Sequence, residues 1–344
     1  MPLTTVTSGA MSPSTKRGLT MTGLRQIKLL GLCLDWTMTE PLELAQHSEK
    51  IKKMAQALAA KGVLTLQTCS RTEFYGEETA LRNIPSEAFA GLPFRSIEGA
   101  AAIGQRFAEI ASGGRSQILG ERNIIQQLED AYKRGDPNLP IFQIARQGID
   151  FGLTARERHQ FNAPPIYDQF VRDIMADRYR NGELPDHLYL LGSSNLSYDL
   201  IESGVEEHFR STTIVTRDPK SARKRLRRET DKKVEVIHQK EFGHAREPQS
   251  LVVIATSNLT DQDKADLQNA LLRLEPRTVV DLTANPVMAA ALAGKLNYVN
   301  MYGEEFRRLI DQNNEQLAPK VPLVRSDIEA ALRTAQLDLS AKAP

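Results

Sequence analysis

The sequence predicts an α/β protein: an N-terminal α+β domain, a bridging helix, and a doubly wound parallel sheet. Two observations carry this. From Leu184 onward, short apolar strands alternate with helical stretches over about 120 residues, the pattern of successive crossovers onto one sheet. Upstream, one strand, one helix and two short strands precede a run of helical periodicity without such alternation. A length of 344 residues suits two domains of about 100–200 residues each.

Residues 1–23 are rich in Ser, Thr and Gly without apolar periodicity, and read as a disordered leader or an over-extended start. Residues 24–164 form the first domain. Gln26 to Leu34 reads as a buried strand with Cys33 as a core residue. Pro41 to Lys61, with Leu44, Ile51, Met54, Ala55 and Leu58 on one face, predicts a single helix closed by Gly62. Val63 to Leu66 and Thr72 to Tyr75 predict two strands around the polar junction Gln67–Arg71. Helical spacing begins at Ser96 and ends at Gly113-Gly114; a polar loop then feeds a helix through Tyr132, and Pro140 to Arg158 predicts another. After Asn162-Ala-Pro-Pro165, residues 165–183 supply a bridging helix and linker. In the second domain, residues 184–302, strands are expected at His187–Leu191, Thr212–Thr216, Val234–Ile237, Leu251–Ala255, Thr278–Leu282 and Tyr298–Met301. Helices are expected from Ser197 through Phe209, at Lys220–Glu229 and at Gln262–Leu274. Residues 303–344 predict a short helical tail interrupted by Pro319 and Pro322.

A net charge of +1 gives no global drive toward polyanions, so any such partner needs a local patch. Two cysteines cannot build a disulfide framework, none of the six histidines has a partner at metal-ligand spacing, and no apolar run approaches the roughly 18 residues of a membrane span. These features predict a cytoplasmic protein with no metal and no membrane contact.

Two stretches can carry chemistry. Cys69 lies on a polar junction beside Arg71, a setting expected to lower a thiol pKa and expose a nucleophilic thiolate. Gly192-Ser193-Ser194-Asn195-Leu196-Ser197 follows the first strand of the second domain, where a dinucleotide fold turns tightly against a pyrophosphate. Only Gly192 of the three usual glycines is present; Ser194 and Ser197 take the other two places. Arg217, 25 residues after Gly192 at the end of the second strand, suits a 2′-phosphate and so NADP rather than NAD. The basic run that continues to Arg228 reads as a solvated helix face.

Gln67-Thr-Cys-Ser-Arg-Thr-Glu-Phe-Tyr75, Ala111-Ser-Gly-Gly-Arg-Ser-Gln-Ile-Leu-Gly-Glu121 and Gln127 to Tyr132, followed by a nucleotide-type domain, resemble glutamyl-tRNA reductase. The resemblance covers roughly residues 26–318 and rests on Thr-Cys-x-Arg-Thr-Glu and Ser-x-x-x-Gly-Glu in this order and spacing. It implies a Rossmann-like NADPH-binding domain, with cofactor contacts from Gly192 to Ser197 and from Arg217. It also implies that Cys69 attacks the aminoacyl ester of glutamyl-tRNA, and that the thioester is reduced to the aldehyde that feeds tetrapyrrole synthesis. Thr68, Arg71, Ser116, Glu121 and Gln127 match the amino-acid-recognising positions, with Ser70, Arg122 and Asn123 beside them. Arg71 would pair with the substrate carboxylate; Glu121 would hold the α-ammonium or order the pocket.

The sequence also departs from the family. Arg106 stands where the family carries a histidine, Arg115 where it has Asp, Arg122-Asn123 where it has Pro-Gln, and Asp150–Ala155 blur a basic motif. These substitutions leave open a substrate that is another aminoacyl-tRNA or an acyl thioester, or a paralogue of weak turnover that binds tRNA or a partner such as the downstream aminomutase. The tail implies a reduced or missing dimerisation domain, hence a monomer or a different dimer.

Overall fold

The computed structural model describes residues 28–82, 84, 92–179, 185–256, 259–288 and 294–341; the expected leader lies outside them. The first sheet has strand order β2-β3-β1-β4 and is antiparallel throughout, from β1 (Leu29–Asp35), β2 (Leu64–Gln67), β3 (Arg71–Glu77) and β4 (Arg95–Glu98). One face of this sheet (Leu30, Leu34, Phe74) packs with Ile51, Leu58 and Leu81. The other face (Leu29, Leu64, Leu66, Tyr75) packs with Phe107, Ile110, Leu128 and Phe142, from α4 (Ala100–Ala111), α5 (Asn123–Lys133) and α6 (Pro140–Arg158). Being covered on both faces, β3 is buried from Arg71 to Gly76, charged residues included.

Four expectations are corrected. The single helix over Pro41–Lys61 is two, α1 (Pro41–Gln46) and α2 (Ser48–Ala59), divided at His47, whose φ −88°, ψ −3° lies at the edge of the helical region. Helical spacing from Ser96 begins with strand β4 instead: the Gly99 amide donates to Leu29 O, and the left-handed φ of Gly99 (+87°) separates strand from helix. The helix expected through Phe209 stops at Glu202, where Gly204 in the αL conformation turns the chain into a 3₁₀ turn at Val205–His208. The tail is divided at its prolines as expected, but helix resumes at once beyond them. α11 (Glu304–Leu317), a 3₁₀ turn (Ala318–Lys320) and α12 (Val321–Ala341) follow one another, with each proline in the opening residues of a new segment, where a missing N–H costs little. This tail folds back onto the first domain: Leu317, Val324 and Ile328 share a core with Ala108, Ala155 and Phe161.

A short α3 (Glu78–Leu81) follows β3, and α7 (Ile166–Arg178) leads from the first sheet to the second. The second sheet is parallel, in order β10-β9-β8-β5-β6-β7, from β5 (His187–Leu191), β6 (Ser211–Thr216), β7 (Glu235–His238), β8 (Ser250–Ile254), β9 (Thr278–Asp281) and β10 (Tyr298–Asn300). Its faces carry α7, α8 (Asn195–Glu202), α9 (Pro219–Glu229), α10 (Asp261–Leu274) and α11, around two cores. The strand order reverses at β5, and ligand crevices form beyond the strand ends at such a point. Among the described residues no helix is long and apolar enough to cross a membrane.

Candidate active site

Cys69 sits at the tip of the β2–β3 turn, half-buried, between the paired residues Gln67 and Thr72. The turn is held by Thr68 N to Arg71 O (2.9 Å), Ser70 N to Thr68 Oγ1 (3.2 Å) and Trp36 N to Ser70 O (2.9 Å). Arg71 is fully buried; its guanidinium donates to Glu73 (3.4 Å) and to the Arg115 carbonyl, which also accepts from the Trp36 indole (3.2 Å). Its Nε has no partner among the described residues. The thiol is not activated as expected. Burial, then the Glu121 carboxylate, push Cys69 up to about 11, and these outweigh the opposing charge of Arg71. Burial also raises Glu121 to about 7, against the pull of Arg71, Asn123 and Arg156.

Arg156 organises the loop that carries Ser116 and Glu121. Its guanidinium donates to the carbonyls of Ser112 (3.2 Å), Glu121 (2.9 Å) and Gly120, and its Nε to Asn162 Oδ1 (2.9 Å). α11 holds the same loop from another direction. Asn314 accepts from Leu119 N and donates to Gln117 O, both at 2.9 Å, while Asn313 donates to Leu119 O at 3.0 Å. Ser116 is 2 % exposed and its Oγ has no partner among the described residues. Arg122 is exposed, Asn123 hydrogen-bonds Glu121, and Gln127 is half-buried on α5.

Sequence reasoning missed two residues at this site. Tyr167 on α7 and Tyr302 after β10 both feel the Cys69 charge, and Tyr167 also feels Glu121; burial pushes both phenols up. No motif marks them, because only the packing of α7 and of the β10 end against the first domain brings them there. Two of the arginines that depart from the family, Arg106 and Arg115, are neutralised. Arg106, 4 % exposed, donates to Asp35 Oδ2 (2.7 Å) and to both oxygens of Glu73. Arg115 pairs with Glu109, which also faces Arg325 of α12 at 3.5 Å.

In the second domain, Gly192 has φ +111°, and a Cβ there would lie 2.7 Å from Ala255 O and 2.8 Å from Thr256 Cβ. Only glycine fits the turn. Ser194 caps α8 by accepting from Ser197 N, and the buried Ser197 donates to Gly192 O (2.8 Å). The two serines therefore tie the turn together with hydrogen bonds. Ser193 Oγ meets Thr216 Oγ1 (3.2 Å), and Arg217 extends into solvent beyond β6, loosely paired with Asp263 (3.8 Å). Leu196 packs against the domain core instead of facing the crevice, and Asn195 Nδ2 donates to Gln126 of α5 (2.8 Å), joining the turn to the first domain. A cradle without room for a Cβ, a capped helix start and an exposed, loosely paired guanidinium at the end of the second strand fit a dinucleotide phosphate. Among the described residues no group of three or more His, Cys, Asp or Glu could hold a metal ion.

The family model for the N-terminal domain of glutamyl-tRNA(Glu) reductase matches residues 35–138. Protein nfe2 of Rhizobium meliloti is 47% identical over 307 residues, covering 89% of this chain and 99% of that protein. The glutamyl-tRNA reductase of Methanopyrus kandleri is 24% identical over 317 residues, 87% of this chain and 76% of that one. Its solved structure aligns over 90% of this chain and 80% of its own, at 20% identity and a TM-score of 0.44. The chain is a divergent member of the glutamyl-tRNA reductase family, alongside protein nfe2.

Proposed function

We propose that the chain reduces an aminoacyl-tRNA, glutamyl-tRNA first among candidates, to the amino aldehyde through a thioester on Cys69. The observation that carries this is a pair of orphan polar groups: Arg71 Nε, two residues from Cys69, and Ser116 Oγ, next to the Arg115 whose carbonyl accepts from Arg71, both buried with no partner among the described residues. Buried polar groups are almost always satisfied, so such a pair points to a polar ligand. Arg71 and Ser116 would take the substrate side-chain carboxylate, and Glu121 its α-ammonium, with Thr68, Ser70, Asn123 and Gln127 lining the loops and Arg122 at the rim.

The raised Cys69 pKa suits this arrangement. Glu121 is a main cause of it, after burial. An ammonium bound to Glu121 neutralises that carboxylate and lowers both pKa values, so the thiol ionises when substrate arrives. Cys69 sulfur then bonds to the ester carbonyl carbon, and the ester bond breaks. The tRNA ribose hydroxyl leaves, carrying the proton the thiol gave up. Gly192 to Ser197 and Arg217 would hold NADPH, which supplies the hydride that converts the thioester to the aldehyde and frees the thiolate.

A second reading, a paralogue that binds tRNA without turnover, is favoured by one observation: Arg106 is committed to Asp35 and Glu73 and supplies no acid or base. Incubation with glutamyl-tRNA and NADPH separates the two. The first reading expects aldehyde from the wild type and none from Cys69→Ala; a wild type that binds tRNA and makes no aldehyde from any aminoacyl-tRNA overturns it.

A further inference from the structure

The chain carries a net charge of +1, yet nine cations and three carboxylates lie between Arg217 and Lys233. In the structure this segment is β6's exit, α9 and the loop to β7. α9 buries Ala222 and Leu226 and turns Lys220, Arg223, Lys224, Arg227 and Arg228 to solvent. Several cations are engaged locally. Arg225 lies over the Tyr198 ring (3.8 Å) and pairs with Glu229, Arg228 pairs with Glu229, and Arg223 donates to Val236 O (2.7 Å). Lys220, Lys224 and Arg227 have no ion-pair partner among the described residues. At spacings of four and three they share one helix face. Complementing the helix dipole explains cations in the last turn, but not Lys220 in the first, where a positive charge is unfavourable. A cleft of about 570 Å³ opens at the C-terminal end of the same helix, lined by Arg223, Arg227, Thr230, Asp231, Lys232 and Glu235. Arg227 follows Arg217 by ten residues, and the eight helical residues Pro219–Leu226 between them span about 12 Å, so the cleft lies apart from the place proposed for the cofactor phosphate.

We infer that this face of α9 and its cleft dock an RNA strand, the carrier part of the substrate. The inference rests on the tRNA substrate proposed above and adds where the RNA lies. Free cations along one face track phosphates. Asp231 and Glu235 within the cleft accept hydrogen bonds from base amino groups, which an unpaired RNA segment presents. The same two carboxylates would repel an acidic polypeptide. A membrane surface is disfavoured because both apolar residues of α9 face inward, and a helix that inserts needs an exposed apolar face.

The test is anisotropy of fluorescein-labelled, unacylated tRNA over a range of salt concentrations, without NADPH, so a failure of the reductase reading leaves it readable. Lys224→Glu/Arg227→Glu is expected to weaken binding at least tenfold at about 0.1 M salt and to flatten the log–log salt slope by about 1.5. Arg210→Glu/Arg246→Glu, the same charge change on engaged surface arginines of the second domain, should retain most of the affinity. Unchanged NADPH fluorescence titration and melting temperature certify the fold of both variants. The inference is overturned if wild type binds no tRNA, if Lys224→Glu/Arg227→Glu keeps wild-type affinity and slope, or if the control loses as much. It is equally overturned if polyglutamate or phosphatidylglycerol vesicles compete as well as tRNA does.

Discussion

Replacing Arg106 with Met removes the guanidinium that bridges two buried carboxylates, Asp35 and Glu73, and leaves Glu73 with Arg71 alone. Arg106, Asp35 and Glu73 have side-chain exposures of 5%, 2% and 0%. Deleting one partner of such a buried ionic cluster costs about 3–5 kcal/mol, because the remaining charges stay desolvated. In a chain of this size that corresponds to a melting temperature lower by roughly 10 °C. The pH dependence adds a sign. Burial pushes Asp35 up, but the Thr37 hydroxyl and Arg106 more than offset it and hold the carboxyl at about 2. A folded pKa below the unfolded value stabilises the protein above about pH 4, by about 2 kcal/mol, and that contribution is lost as pH falls toward 2. In Arg106→Met, Asp35 is buried without its counter-charge, so its folded pKa lies above the unfolded one, and its penalty is complete at neutral pH and fades on acidification. Thermal melting followed by circular dichroism at pH 7, 5.5 and 4.5 should therefore show a large gap between wild type and variant that narrows toward acid. A gap under about 1 kcal/mol at pH 7, or one that widens on acidification, would refute this.

Three further outcomes are expected. Gly192→Ala places a Cβ 2.7 Å from Ala255 O at a left-handed backbone position, and fluorescence titration should show NADPH affinity reduced at least tenfold; wild-type affinity would remove the turn from the cofactor site. With Cys69 pushed up to about 11, its alkylation by iodoacetamide should climb roughly tenfold per pH unit from pH 7 to 10, and Glu121→Gln should speed it severalfold at pH 8 by removing the raising charge. A rate that plateaus near pH 8 in the wild type contradicts the raised value; Cys33, buried and pushed up to about 12, is the internal control by peptide mapping. Asn314→Ala strips Leu119 N and Gln117 O of their partners and should cost about 1–3 kcal/mol, with faster hydrogen exchange confined to the 113–121 loop. Protection equal to wild type would mean that α11 does not hold the loop.

Much of the architecture was legible in residue patterns. Periodicities of two and of 3.6 locate every strand of the second sheet to within a residue or two, because each is a short apolar run bounded by turn chemistry. Strand β4 escaped because Ile97 alone faces inward and its neighbours are polar, so the run resembles the start of the helix that follows. The prolines of the tail marked real breaks, but not that helix resumes after them: Pro319 and Pro322 fit the opening positions of new helical segments, and Val324, Ile328 and Leu332, each about one turn apart, give α12 a face against α4 and α6. At the site, Cys69, Arg71, Ser116 and Glu121 stand out because they are close in sequence within two short motifs. What the motifs could not reveal was the balance of charge. Arg71 beside Cys69 suggested an acidic thiol, whereas desolvation and the Glu121 carboxylate, more than fifty residues away in sequence, reverse the sign. Arg106 and Arg115 looked like excess positive charge; their partners Asp35, Glu73 and Glu109 become visible only once β1, β3 and α4 are folded together.

The most direct test is a single-turnover experiment with glutamyl-tRNA carrying radiolabelled glutamate. Without NADPH, label should become covalently bound to wild-type protein on the peptide containing Cys69, in a bond cleaved by hydroxylamine, and should be absent from Cys69→Ala. Added NADPH should then release it as the aldehyde. Label that never reaches Cys69, from glutamyl-tRNA or from any other aminoacyl-tRNA, would contradict the account.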